Sequence, residues 1–142
     1  MPQPNGVIQP LQLDHLVLRS VNPSRLIAFY CQVLGCTVER ETSPQVGLTQ
    51  LRAGAALIDI VDVNAALGSA GGAAPSRTGN NMDHFCLQIA PVSEAQIIRH
   101  LRLHGVEAGA FRHRYGAQGR GASLYIEDCD GNQLELRCKL AK

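Results

Sequence analysis

The chemistry this 142-residue sequence offers rests on four side chains. Two are histidines, His15 and His84, each set early in one half of the chain. Two are carboxylates, Asp59 and Glu135, each set late in the same halves. Leu13-Asp14-His15-Leu16-Val17-Leu18 is matched by Met82-Asp83-His84-Phe85-Cys86-Leu87. Gly35 follows His15 by 20 residues and Gly105 follows His84 by 21, while Asp59 lies 44 residues beyond His15 and Glu135 lies 51 beyond His84. Strand parity places His15, Val17 and Arg19 on one face, and His84, Cys86 and Gln88 on one face of a second strand. Asp59 falls with Leu57 and Val61, and Glu135 with Gln133 and Arg137, leaving Leu134 and Leu136 to meet a core. Two imidazoles and two carboxylates suit a divalent metal such as Zn, Ni, Fe, Co or Mn. Plain structural readings stand beside this one: a strand histidine satisfied by a neighbour, an aspartate closing a strand, a glutamate paired with an arginine across a sheet.

These residues need elements to carry them, and each half reads β-α-β-β-β. In the first half, Leu11 to Arg19 is a strand. Asn22-Pro23 is N-cap chemistry followed by a proline at the first helical position. Leu26, Ile27, Phe29, Tyr30, Val33 and Leu34 follow at helical spacing, and Gly35 ends the helix. Cys36 to Glu41, Val46 to Arg52 and Ala56 to Val63 are strands, with Gly54 turning between the last two. In the second half, Met82 to Ala90 is a strand and Ser93 with Gln96 is a capping-box pair. Ile97, Ile98, Leu101 and Leu103 carry a helix to His104, and Gly105 ends it. Val106 to Phe111, Ala122 to Glu127 and Asn132 to Leu140 are strands, the last two joined by the turn Asp128-Cys129-Asp130-Gly131. One half alone is too small to be stable, so the two must pack together. Residues 64–81 are Ala, Gly, Ser and Pro with few large side chains, a linker or mobile loop longer than ordinary connections. Phe111 to Arg120 gathers Arg112, His113, Arg114 and Arg120 around Tyr115 and loop-forming glycines. It reads either as a binding loop for a carboxylate or phosphonate or as a solvated connection.

Composition narrows the function classes. Lys plus Arg is 13 and Asp plus Glu is 12, a net charge of +1 that gives no general attraction to nucleic acid or anionic membrane. Aromatics are 4%, with no Trp, too few for base-stacking platforms. No apolar run is long enough to span a bilayer. The first ten residues read as a loose leader without the features of a signal peptide. Five cysteines without CxxC spacing argue against a disulfide framework or a cysteine zinc site. Reduced thiols and a cytoplasmic location are expected, with Cys31, Cys86 and Cys138 as small buried hydrophobes.

The segments LDHLVL from Leu13, AFYCQVLGCTV from Ala28, ALIDI from Ala56, MDHFCLQI from Met82 and YIEDCDGNQLEL from Tyr125 resemble the vicinal oxygen chelate superfamily. That group contains glyoxalase I, fosfomycin-resistance proteins, extradiol dioxygenases and bleomycin-binding proteins. The resemblance covers Leu11 to Lys139, with Cys129 where the family's acidic turn usually holds proline. It implies an α+β fold of paired βαβββ modules forming a curved mixed sheet around a metal cleft. Residues 1–10 would be a flexible leader and 11–142 one domain, with module one at 11–63, a linker at 64–81 and module two at 82–140. It further implies His15, Asp59, His84 and Glu135 as ligands of one divalent metal (Ni, Zn, Co or Mn, with Fe behind them), and Glu135 and Asp59 as the catalytic carboxylates. Arg19, Arg114, Tyr115 and Arg120 are the expected substrate contacts. The fourth ligand position favours a glyoxalase-like lyase or isomerase acting on a small thiol–2-oxoaldehyde adduct. The alternatives are a fosfomycin-type thiol transferase or epoxide hydrolase, an extradiol dioxygenase, or a non-catalytic small-molecule binding protein. The partner would be a small molecule, thiol-linked or anionic, and the expected assembly is a homodimer whose cleft is built within one chain or by modules exchanged between two.

Overall fold

Both long helices begin where their caps dictate. Asn22 Oδ1 accepts the backbone N–H of Arg25 at 3.3 Å, and α1 runs Pro23–Gln32 with its proline where no intrahelical donor is needed. Ser93 and Gln96 form a reciprocal capping box at the start of α3 (Glu94–Leu103). Gly35 and Gly105, at φ +74° and +70°, terminate the two helices in the left-handed conformation that favours glycine. The computed structural model describes residues 6–141. The expected leader lies partly outside them; residues 6–10 are exposed and carry no helix or strand.

The strands of the first module are β1 (His15–Ser20), β2 (Thr37–Glu41), β3 (Leu48–Ala53) and β4 (Ala56–Asp62). A four-residue helix, α2 (Ala66–Ser69), interrupts the segment expected to be a linker or mobile loop. The second module holds β5 (Phe85–Ile89), β6 (Arg112–Gly116), β7 (Gly119–Glu127) and β8 (Gln133–Cys138). The strand orders are β1-β4-β3-β2 and β5-β8-β7-β6, so the repeat read from the sequence is a repeat of topology. In each sheet the first strand pairs parallel with the last, and the remaining pairs are antiparallel. Asp59 is flanked in register by Val17 and Gln50, and Glu135 by Cys86 and Tyr125. The two carboxylates occupy equivalent places.

One apolar core joins the modules. Leu26, Tyr30, Leu51, Ile58 and Ile60 of the first module cluster with Ile97, Leu101, Leu124, Ile126 and Leu134 of the second. The helix-side faces of both sheets point into this core, and the faces bearing the four chemical residues point away from it. Polar bonds secure the junction. Buried Tyr30 donates to Asp128 Oδ2 at 2.7 Å, and Asp128 also accepts from the backbone N–H groups of Asp130 and Asn132 and from the Asn132 amide. Ser20 Oγ donates to Asp130 Oδ2 at 2.6 Å. Burial first, and then the Asp128 carboxylate, push the Tyr30 hydroxyl well above the usual phenol range. Tyr30→Phe is expected to cost about 1.5–3 kcal/mol, the range for a bond to a charged group, as read by urea unfolding. A loss well under that range means the turn at Asp128 holds itself without the helix.

Several expectations change. The single curved sheet is instead two four-stranded sheets, because within one chain the modules meet through their apolar helix-side faces and not strand to strand. Val106 to Phe111 is not a strand: Val106 N–H closes the helix by donating to Leu101, and Ala108-Gly109-Ala110 has weak β propensity. The basic segment, expected as a binding loop or a solvated connection, is the β6–β7 hairpin, turning at Ala117-Gln118. Among the cysteines Cys36 is the buried one; Cys31 and Cys138 are half-buried, and Cys86 is exposed because its strand face is the outward one. Among the described residues no helix is long and apolar enough to cross a membrane.

Candidate functional site

Each histidine follows an aspartate, and in the structure that aspartate holds it. His15 Nδ1 lies 2.6 Å from Asp14 Oδ1, and His84 Nδ1 lies 2.7 Å from Asp83 Oδ2. A carboxylate at Nδ1 favours the proton on that nitrogen, and a ring so protonated offers Nε2 as a lone-pair donor, the tautomer a metal requires. The bond to Asp14, helped by the charge on Asp59, raises the pKa of His15 from the ordinary 6.5. The carboxylate stabilises the imidazolium, so Asp14→Asn is expected to bring the His15 titration back down toward 6.5 in a ring-proton NMR experiment. An unchanged midpoint would contradict the contact.

The carboxylates are buried, Asp59 at 4% exposure and Glu135 at 6%. Glu135 Oε1 lies 3.3 Å from His84 Nε2. Asp59 Oδ2 accepts from Gln50 Nε2 at 3.1 Å, and Gln50 Oε1 in turn accepts from Arg40 Nη1 at 2.9 Å. Asp59 Oδ1 has no hydrogen-bond partner among the described residues. A buried carboxylate oxygen without a donor is costly and calls for a cation or a proton donor. That vacancy of partners, with the oriented Nε2 atoms, makes the donor set chemically fit for a divalent ion. The four residues come as two pairs on two sheet faces, and among the described residues no three His, Cys, Asp or Glu side chains converge as a ligand group.

The remaining expected contacts divide. Arg19 lies on the His15 face, but its guanidinium donates to three backbone carbonyls, Gly68, Gly72 and Ala73, at 3.0, 2.6 and 2.9 Å. It ties residues 68–73 to β1. Arg114 lies on the Glu135 face, over the Tyr125 ring at 4.6 Å. Tyr115 and Arg120 pair with each other and lie on the other face of the hairpin, both exposed. Three neighbours escaped the sequence reading. Tyr125 meets His84 edge-on at 5.0 Å, its hydroxyl 3.5 Å from Nε2; its parity with Glu135 across the Asp-Gly turn was the available signal. Gln50 had the same signal across Gly54. Arg40 had none: a bulge between Val38 and Arg40 resets the parity of β2 and turns Arg40 toward Gln50.

The comparisons agree with this architecture. The family model for the Glyoxalase/Bleomycin resistance protein/Dioxygenase superfamily matches residues 12–136. No curated protein matches the sequence. Among solved structures, an integron cassette protein from the mobile metagenome of V. cholerae is 24% identical with a TM-score of 0.72, over 95% of this chain and 100% of that one. A lactoylglutathione lyase from Agrobacterium tumefaciens is 19% identical with a TM-score of 0.65, over 91% and 94%. The fosfomycin resistance protein FosX from Listeria monocytogenes is 21% identical with a TM-score of 0.59, over 94% and 96%. At these identities the likeness speaks for the fold. The family match runs from just before β1 into β8 and takes in His15, Asp59, His84 and Glu135, and on that ground the chain belongs to the glyoxalase/bleomycin resistance protein/dioxygenase superfamily.

Proposed function

We propose that the protein is a metal-dependent lyase or isomerase of the glyoxalase type, acting on a small thiol–2-oxoaldehyde adduct, with each site completed by two copies of the chain. The observation that carries the reading is the pair of equivalent half-sites, one of which holds the buried Asp59 oxygen that has no partner among the described residues. The half-sites face away from the core the modules share, and β1 and β5 each end a sheet. A second copy can set its β5 beside the first copy's β1, bringing His84 and Glu135 of one chain to His15 and Asp59 of the other.

His15, Asp59, His84 and Glu135 would hold a divalent ion, which would supply Lewis-acid charge to the substrate. Glu135 takes the proton from the carbon that bears sulfur and returns it to the neighbouring carbon. The hydroxyl proton passes to the former carbonyl oxygen, so a thiol adduct becomes its isomeric 2-hydroxyacyl thioester with atoms and electrons conserved. Asp59, its Oδ2 fixed by Gln50, serves the opposite side of the same carbon pair. Asp14 and Asp83 keep both imidazoles aimed.

The test is turnover of methylglyoxal with a panel of thiols, before and after metal removal. The expected result is loss of activity on chelation and its return with Ni, Zn, Co or Mn. Full activity in the stripped protein, or none with any thiol after reconstitution with each ion, overturns the reading.

A further inference from the structure

We infer that the outward face of the second sheet holds an anion subsite built by Arg137 and Arg114, and that the substrate carries an oxyanion seated there. The use of this subsite in catalysis rests on the function proposed above; the subsite itself does not.

Arg137 is 7% exposed, yet among the described residues no carboxylate lies within ion-pair distance of it, nor of half-buried Arg114. A buried guanidinium without a counter-charge is expensive unless an anion compensates it. The surroundings are shaped for this group. A Cβ at Gly116 would collide with the Arg137 guanidinium, and one at Gly121 would stand 3.1 Å from its Nη2. The glycine-rich hairpin that looked like a loop is therefore the cradle of an arginine. Arg137 Nη2 donates to the Gly119 carbonyl at 2.9 Å and at 3.4 Å to that of Arg114. Arg114 Nη1 donates to the carbonyl and the hydroxyl of Ser123 at 2.5 and 3.0 Å. One nitrogen of each guanidinium is thus anchored, which fixes the planes while leaving N–H groups on the others. Fixed forks of this kind match the oxygens of carboxylate, phosphate and phosphonate. Ser123 is fully buried, and its hydroxyl serves to hold Arg114 in place.

The position has a consequence for substrate shape. Arg137 stands two residues beyond Glu135 on β8, about 7 Å along the strand. Arg114 stacks on Tyr125, whose hydroxyl approaches His84. An oxyanion in this subsite therefore lies within a few bonds of carbon presented to Glu135. The chemistry selects a compact adduct whose thiol or aldehyde part ends in a carboxylate, phosphate or phosphonate.

The experiment titrates the full-length, ¹⁵N-labelled protein with inorganic phosphate and, separately, with acetate, after metal has been stripped and the chelator dialysed away. Backbone and arginine side-chain NMR shifts report binding. The inference expects saturable shifts at Gly116, Ser123 and Arg137, with at least about a tenfold weaker response in Arg137→Met and in Arg114→Gln. Arg114→Gln removes a half-buried group, and its thermal melt shows whether the fold is kept. Stronger binding of phosphate assigns a tetrahedral oxyanion, and stronger binding of acetate a carboxylate. Asp59→Ala should bind phosphate as the parent does, so loss of the metal reading leaves this result standing. No saturable shift in the parent protein, or equal binding by folded Arg114→Gln and the parent, overturns the inference.

Discussion

Chains inactivated by His15→Ala and chains inactivated by His84→Ala are expected to restore activity when refolded together. Each variant alone lacks one imidazole from every site. If the sites are shared across a two-fold axis, a mixed dimer joins the intact first module of one chain to the intact second module of the other. Its second site then collects both defects. Equal mixing makes half the dimers mixed, so about a quarter of the parental activity returns. A site built within one chain gives nothing on mixing, because every chain carries a defect. The expectation follows from where the structure puts the apolar faces. Leu26, Tyr30, Leu124 and Leu134 hold the modules together through the core, so the half-sites of one chain look outward and apart. Recovery near zero, with both variants folded and dimeric, would remove the shared-site arrangement.

The second large effect is expected from Glu135→Gln. The amide keeps the volume and one oxygen but cannot take the proton from carbon. Loss of a positioned base costs about 10²–10⁴-fold in kcat. Stability should move little, since the neighbours Leu134 and Leu136 carry the packing of β8. Solvent-deuterium incorporation into residual product separates the base role from metal binding. A variant that still binds metal but no longer exchanges the carbon-bound proton has lost the base. Equal loss of fold and activity would show that Glu135 is holding the sheet together instead.

Much of this architecture was legible because the sequence states it twice. The Asp-His pair and the glycine at the helix end repeat at nearly constant spacing, each half carries a late carboxylate, and the parity of Glu135 against Leu134 and Leu136 separates site face from core face. Other features depended on contacts that no local pattern carries. The bulge in β2 changes which face Arg40 occupies, and periodicity across a bulge gives the wrong side. Arg19 has the right parity for the site, but its guanidinium is taken by backbone carbonyls 49 to 54 residues away. In the sequence the basic hairpin is only a charge cluster. Its real content, glycines making room for Arg137, needs the pairing of Gly116 with Gly119 and of Ser123 with Arg137. The burial of Asp59 likewise comes from its sheet neighbours and not from its own segment.

In the proposed function His15, Asp59, His84 and Glu135 together hold one metal ion. The most direct measurement is the metal content of protein purified without added metal, beside the His15→Ala/His84→Ala double variant. The account predicts about one Ni, Zn, Co or Mn per chain in the parent and near none in the variant, since removing two of four ligands dismantles such a site. A parent that holds no metal, even after reconstitution with each of these ions, or a double variant that keeps its metal, would contradict it.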